Sequence, residues 1–148
     1  MLLMLKGLFR MLNNRGQSLI LFVIVLPVLL LILVLVIDIG RVISLKQELN
    51  NISEIVLDYG IDYLNNEMDN NIDSISSIEN KLIEIIELNK DDIDEIDVRI
   101  DNNKINILLS DSVDGIFSSI LDIDMFDIKS SYVGYMDNNK KRIERVNG

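Results

Sequence analysis

The stretch Arg15–Arg41, RGQSLILFVIVLPVLLLILVLVIDIGR, decides how this chain folds. Residues 19–37 within it are apolar throughout, with Pro27 as the single helix-breaking residue. A helix of roughly 20 apolar residues, rising ~1.5 Å per residue, crosses the ~30 Å hydrocarbon core of a bilayer. The sequence therefore predicts one transmembrane helix over residues 17–39.

Two other interpretations of this stretch are weaker. The core helix of a soluble domain rarely runs this long without a polar residue. A cleaved secretory signal has a shorter apolar region and ends in small residues, whereas this chain contains no alanine and continues with Asp38 and Arg41. The absence of cysteine also excludes a lipid-anchored lipoprotein.

Charge is distributed unequally on the two sides of the predicted span. The net charge is -10, yet Lys6, Arg10 and Arg15 precede residue 19 without any acidic residue, so all 24 acidic residues follow residue 37. Basic residues beside a span favour the cytoplasmic side. We expect a cytoplasmic N-terminus and an acidic C-terminal domain outside, and such a domain does not suit nucleic acid, whose phosphates require positive charge.

Several residues around the span resemble the N-terminal region of TadE/TadG-like proteins of Tad (Flp-type) pilus assembly. The family motif is a basic leader, Arg-Gly, an apolar helix with proline in its first half, and then an acidic residue, glycine, arginine and a helical Leu-x-Asn. The matching positions here are Arg15, Gly16, Phe22, Pro27, Asp38, Gly40, Arg41, Leu49 and Asn50.

The resemblance implies a pseudopilin-like, membrane-anchored pilus-assembly protein of a bacterial cytoplasmic membrane. Its implied partners are other pilus-assembly membrane proteins, pilin-like subunits and a prepilin peptidase. In processed members the peptidase cuts after the glycine that corresponds to Gly16, which leaves Gln17 as the new N-terminus. Because Leu21 stands where those members carry glutamate, both cleavage and a simple break between leader and helix stay open.

The polar residues after the span lie on one continuing helix. Asp38 and Arg41 are three residues apart, which predicts an interfacial ion pair, with a proton relay as the less favoured reading. A heptad seam then follows at spacings of three and four, and it predicts packing on the chain's own sheet or on a partner helix. The seam consists of Val42, Leu45, Leu49, Ile52, Val56, Tyr59 and Tyr63.

The remaining chain predicts a small α+β domain over residues 40–137. A second helix should run to about Leu88, and two alternating segments around Asn102-Asn103 predict a hairpin that pairs Ile100 with Ile105 and Val98 with Ile107. A third strand is expected over residues 125–136. The predicted fold is therefore a transmembrane helix extended into a long pilin-like helix, packed on a small antiparallel sheet with a second helix. Residues 1–16 are interpreted as a basic leader and residues 138–148 as a basic flexible tail.

The sequence contains no motif that indicates catalysis, a cofactor or a metal. Histidine is absent, which removes the commonest general base, and cysteine is absent, which removes thiol chemistry. The acidic residues 92–101 lack the glycine and terminal glutamate of an EF-hand loop. We therefore expect a non-enzymatic accessory subunit or scaffold, or alternatively an envelope scaffold protein unrelated to pili.

Overall fold

A computed structural model describes residues 2–67, 75–117 and 126–146 of the 148-residue chain, and the side chains of residues 18–66, 75–117 and 126–146. Two helices precede four strands. The helices are α1 (Leu2–Glu67) and α2 (Ile75–Asn89). The strands are β1 (Glu95–Asp101), β2 (Lys104–Val113), β3 (Phe126–Asp137) and β4 (Lys140–Arg145). The α+β class and the long N-terminal helix are both confirmed.

Helix α1 joins the predicted span and the predicted seam into one rod of 66 residues. At 1.5 Å per residue the rod is about 100 Å long. The backbone stays helical through Gly16 and through Pro27, so the described helix does not have the break that one interpretation placed at Gly16. Leucine, isoleucine and valine dominate the first half, where a proline is tolerated better than in a soluble helix.

The C-terminal half of α1 packs on the sheet through a face wider than the predicted seam. Leu45, Leu49, Ile52 and Val56 are buried, as a self-packing seam requires. Tyr59, by contrast, is 41% exposed, because the buried face turns toward Leu57, Gly60, Ile61 and Leu64. Val42 and Tyr63 are half-buried at the two ends of this face. A straight helix has 3.6 residues per turn, so a strict seven-residue seam drifts away from a flat sheet.

The hairpin between β1 and β2 has the predicted register. Ile100 pairs with Ile105, Val98 with Ile107 and Ile96 with Leu109. Asn102 and Asn103 have φ angles of 49° and 61°, which asparagine tolerates and a two-residue hairpin turn of type I′ requires. One face of both strands is therefore apolar and covers the helices.

The sheet continues as an antiparallel meander in the order β1-β2-β3-β4. Strand β4 lies where the sequence analysis placed a flexible tail, and this is the clearest difference between expectation and structure. A second Asn-Asn turn joins β3 to β4, with φ angles of 49° at Asn138 and 58° at Asn139. Val146 extends the pairing by donating its N–H to the Ser131 carbonyl at 2.9 Å.

Both helices lie on the same face of the sheet. Helix α2 contributes Ile78, Leu82 and Ile86 to the core, whereas Ile75 at its first position is exposed. Helix α1 approaches closely at Gly60, where an added Cβ atom would lie 2.7 Å from Ile105 Cδ1. The sheet approaches α1 equally closely at Gly134, where a Cβ atom would lie 2.9 Å from Leu57 Cδ2. These two glycines set the distance between rod and sheet.

Candidate functional site

The apolar run of α1 receives no cover from the rest of the described protein. Every side chain from Leu19 to Ile37 is exposed except Val34, which is half-exposed. The described residues contain one helix that is long and apolar enough to cross a membrane, within Ser18–Asn66. An exposed apolar surface of this size needs a non-aqueous partner, because soluble monomers rarely leave one uncovered.

The exit clasp lies where this run ends, and we use that name for the contacts of Asp38 and Arg41 with residues 114–117. Asp38 is only 2% exposed. Its Oδ1 accepts the Ile116 N–H at 2.8 Å and its Oδ2 accepts the Phe117 N–H at 2.6 Å. An ionised carboxylate with two amide donors makes the strong, charge-assisted kind of hydrogen bond. The clasp therefore ties the first polar residue after the run to the β2–β3 connection.

Arg41 takes part in the same clasp from the next turn of the helix. Its Nη1 donates to the carbonyl oxygen of Asp114 at 3.3 Å. Within the described residues, Asp38 and Arg41 do not form the ion pair that the sequence analysis predicted, because each side chain binds the backbone of residues 114–117 instead. Ile116 and Phe117 are helical, and the spacing of one turn between Asp38 and Arg41 suits two successive contacts along this segment.

A small polar cluster joins α1 to β3 in the middle of the core. Ser130 donates its hydroxyl to Asn50 Oδ1 at 2.9 Å. The hydroxyl of Ser53 donates to the Leu49 carbonyl at 2.9 Å and lies 3.3 Å from that of Ser130. Both serines are fully buried, so these hydrogen bonds satisfy groups that would otherwise be costly to bury. Asn50 of the motif thus fixes the register of the helix on the sheet.

Two lysines make further contacts between α1 and the sheet. Lys90 lies 3.4 Å from buried Asp111 and 3.7 Å from Glu48 on α1. Lys141 on β4 contacts Asp58 and Asp62 on α1, each at 2.7 Å. Hydrogen bonds to these two carboxylates raise the pKa of Lys141.

The pKa of Tyr132 on β3 is also shifted. Burial is the main reason that its pKa is raised, and the negative charge of Glu54 on α1 acts in the same direction. The neutral phenol is therefore the form that suits the folded helix–sheet contact.

The other predicted residues lie at different points along the rod. Arg15, Gly16 and Gln17 lie in the helical backbone of α1, before the residues whose side chains are described. Phe22 and Pro27 are exposed within the apolar run, and Leu49 is fully buried in the core. An added Cβ atom on Gly40 would meet nothing within 4 Å, so that motif glycine faces open space.

Sequence reasoning missed the partners of the motif residues. Asp38 binds the backbone N–H groups of Ile116 and Phe117. No feature of these two side chains could have identified them as its hydrogen-bond donors. Ser53 did carry a signal, since it is a polar residue between the apolar positions Ile52 and Val56 of the seam. The described residues contain no cluster of three or more acidic side chains arranged to hold a metal ion.

The fold and the site define a class of protein: a long helix, apolar in its first half and exposed there, that carries a small α+β head on its second half. A comparison of the sequence with protein families relates part of the chain to one family. The family model described as "TadE-like protein" matches residues 16–54, which include the apolar run, both clasp residues, Asn50 and Ser53. Over this segment the chain is therefore similar to TadE-like proteins, as the motif predicted. No curated protein and no solved structure gave a significant match.

Proposed function

We propose that this chain is a membrane-anchored, pseudopilin-like accessory component of Tad pilus assembly that acts as a minor subunit or scaffold. The TadE-like match implies an association with the Tad pilus, and it coincides with the exposed apolar run and the clasp. In this proposal the run crosses the bacterial cytoplasmic membrane once, with the basic leader inside and the acidic head outside. The role is structural and not enzymatic.

The observation that carries the proposal is that one side of α1 binds the head and the other side stays exposed. The motif residues Asp38, Arg41 and Asn50 hold the head rigidly on the rod. The opposite side of the rod remains exposed, at Ile39, Ile43 and Ile55 and at the open Gly40. A head held on the rod, with Ile39, Ile43 and Ile55 exposed among polar residues on the uncovered side, suits a protein that contacts other subunits of an assembly.

Site-specific photo-cross-linking in the native host tests this role. A photoreactive residue at Ile43 or Ile55 should cross-link to pilin-like or other Tad membrane proteins, and one at buried Leu49 should not. Deletion of the gene should also reduce surface pili. Normal piliation after deletion, together with cross-links confined to other envelope proteins, would favour the alternative of an envelope scaffold unrelated to pili.

Processing by a prepilin peptidase is a separate part of the proposal. Cleavage after Gly16 would leave Gln17 as the N-terminus of the membrane-bound form. Mass spectrometry of protein purified from the membrane fraction measures this directly. An intact Met1 terminus in cells that contain an active peptidase would exclude the cut.

A further inference from the structure

Exposed apolar side chains lie at the end of the head that carries the exit clasp. Ile116 is 38% exposed and Phe126 is 39% exposed, and Phe117 between them in the chain is half-buried. Phe126 pairs with Val113 at the last position of the β2–β3 ladder, so it lies at the same end of the sheet as residues 114–117. We call this end of the head the proximal end.

The clasp fixes the height of the proximal end relative to the apolar run. A bilayer of ~40–45 Å with a ~30 Å hydrocarbon core has a headgroup layer of roughly 5–7 Å on each side. Residues 38–41 fall within the first ~6 Å beyond Ile37 at the helical rise of ~1.5 Å per residue. Since the Phe117 N–H lies 2.6 Å from the Asp38 carboxylate, residues 116 and 117 are held at the level of the headgroups.

The opposite end of the head lies far from this level. There Asn103 of the hairpin turn lies near α1, and Ile61, Leu64 and Asn65 line a shallow pocket together with Asn103 and Tyr135. Leu64 is 27 residues beyond Ile37, which corresponds to about 40 Å along the helix. Only the proximal end of the described head can therefore reach the lipid.

We propose that the proximal end of the head sits in the interfacial layer of the bilayer, with Ile116 and Phe126 among the lipid headgroups and upper acyl chains. The partner is lipid because the surface adjoins the apolar run: Asp38, which binds residues 116 and 117, directly follows Ile37, and Ile39 at the same height is 50% exposed. Neutral aromatic and aliphatic side chains favour this layer, and they do so without a positive patch. The inference rests on the membrane anchoring proposed above.

The consequence is a second point of membrane contact besides the helix. A single span leaves tilt and rotation to be set by neighbouring helices and interfacial anchors. An anchor on the head would fix the rotation of α1 about its own axis. It would thereby decide which side of the rod faces a partner within the membrane.

Tryptophan fluorescence provides a clean test, because the chain contains no tryptophan. Single variants I116W and F126W would be reconstituted in phosphatidylcholine vesicles brominated at the 6,7 or the 11,12 acyl positions. F22W in the apolar run is the positive control. Y59W is the matched negative control, because Tyr59 is 41% exposed at a height of about 33 Å above Ile37. Far-UV circular dichroism of each variant establishes folding.

We expect lipid quenching of I116W and F126W to exceed that of Y59W at least twofold, with the 6,7 label more effective than the 11,12 label. Quenching of both variants no greater than that of Y59W, with F22W strongly quenched, would overturn the interfacial contact and leave the anchor intact. An unquenched F22W would instead overturn the anchor itself.

Discussion

Asp38 illustrates how a single carboxylate connects two parts of the chain that are 78 residues apart. Its side chain is buried at the end of a membrane-length apolar run, a position where an unpaired charge would be expensive. The two amide N–H donors of the β2–β3 connection offset the free-energy cost of burying this charge. The acidic position of the family motif is thus explained by the fold of the head.

Replacement of this carboxylate should weaken the head. In D38N one amide donor faces an NH₂ group instead of an oxygen, and hydrogen bonds to charged groups contribute ~1.5–3 kcal/mol. We expect a loss of about 2 kcal/mol in the free energy of unfolding, with faster hydrogen exchange at the Ile116 and Phe117 amides. The exposed residue Asp91 supplies the control variant D91N. Equal unfolding midpoints for D38N and D91N in detergent would contradict the clasp.

Two glycines on the same helix should respond in opposite ways to alanine. Gly60 is closely surrounded by Ile105 and Leu82, so G60A overpacks the core, an effect that typically costs ~1–3 kcal/mol. Gly40 faces open space, so G40A should stabilise α1 by up to ~1 kcal/mol through helix propensity. Denaturation of both variants in micelles measures the contrast. A folded G40A protein that fails to support piliation would assign Gly40 to a contact with a partner.

The motif positions could be predicted from sequence, but their partners could not. The spacing predicted a mutual Asp38–Arg41 ion pair and gave no sign that both side chains bind residues 114–117. That segment contributes backbone N–H and C=O groups, which nearly every residue has, so no side chain in it identified the contact.

Among the elements, α1 and the first hairpin were predictable because their signals are local. The length of the apolar run predicts a long helix. The Asn102-Asn103 pair between two alternating segments predicts the register of β1 on β2. Strand β4 was missed because its sequence, KKRIER, offers only Ile143 as an apolar residue facing the helices. Its ion pairs with α1 join Lys141 to Asp58 and Asp62, which are about 80 residues away. The repeated Asn138-Asn139 pair was the local signal that could have revealed it.

The buried face of α1 should carry the stability of the head. Leu49 is fully buried, and truncation of a buried leucine to alanine costs ~2–5 kcal/mol. Ile55 on the same helix is 57% exposed, so I55A should stay within ~0.5 kcal/mol of the wild type. Unfolding of L49A and I55A by urea in micelles, followed by circular dichroism, compares them. A similar cost for both would mean that the rod packs on something other than its own sheet.

The attachment of β4 should weaken at alkaline pH. The pKa of Lys141 is raised in the folded state, so its contribution to stability is complete below the unfolded value of about 10.4 and disappears as the pH rises through the folded value. The difference in stability between the wild type and K141M should therefore shrink toward zero as the pH passes above that range. K140M, which alters the neighbouring exposed lysine, should show no such convergence. A pH-independent difference for K141M would contradict the role of the ion pairs.

At the scale of the whole molecule, α1 is a rod whose first half is apolar and exposed and whose second half carries the head. Composition and charge predicted this division, because every acidic residue lies on one side of the apolar run. The seam predicted the burial of Leu49, but it did not decide whether the chain's own sheet or a partner helix covers that residue. In the folded head the sheet covers Leu49, and Ile43 and Ile55 outside the seam stay exposed.

Topology in intact cells tests the central claim most directly, and the lack of cysteine makes the measurement clean. Single cysteines at Asn13 in the leader and at Asn103 in the hairpin turn would be treated with a membrane-impermeant maleimide. We predict that N103C is labelled in cells whose cytoplasmic membrane is intact, and that N13C is labelled only after that membrane is broken. Labelling of N13C but not N103C, or recovery of the protein in the soluble fraction, would contradict the account.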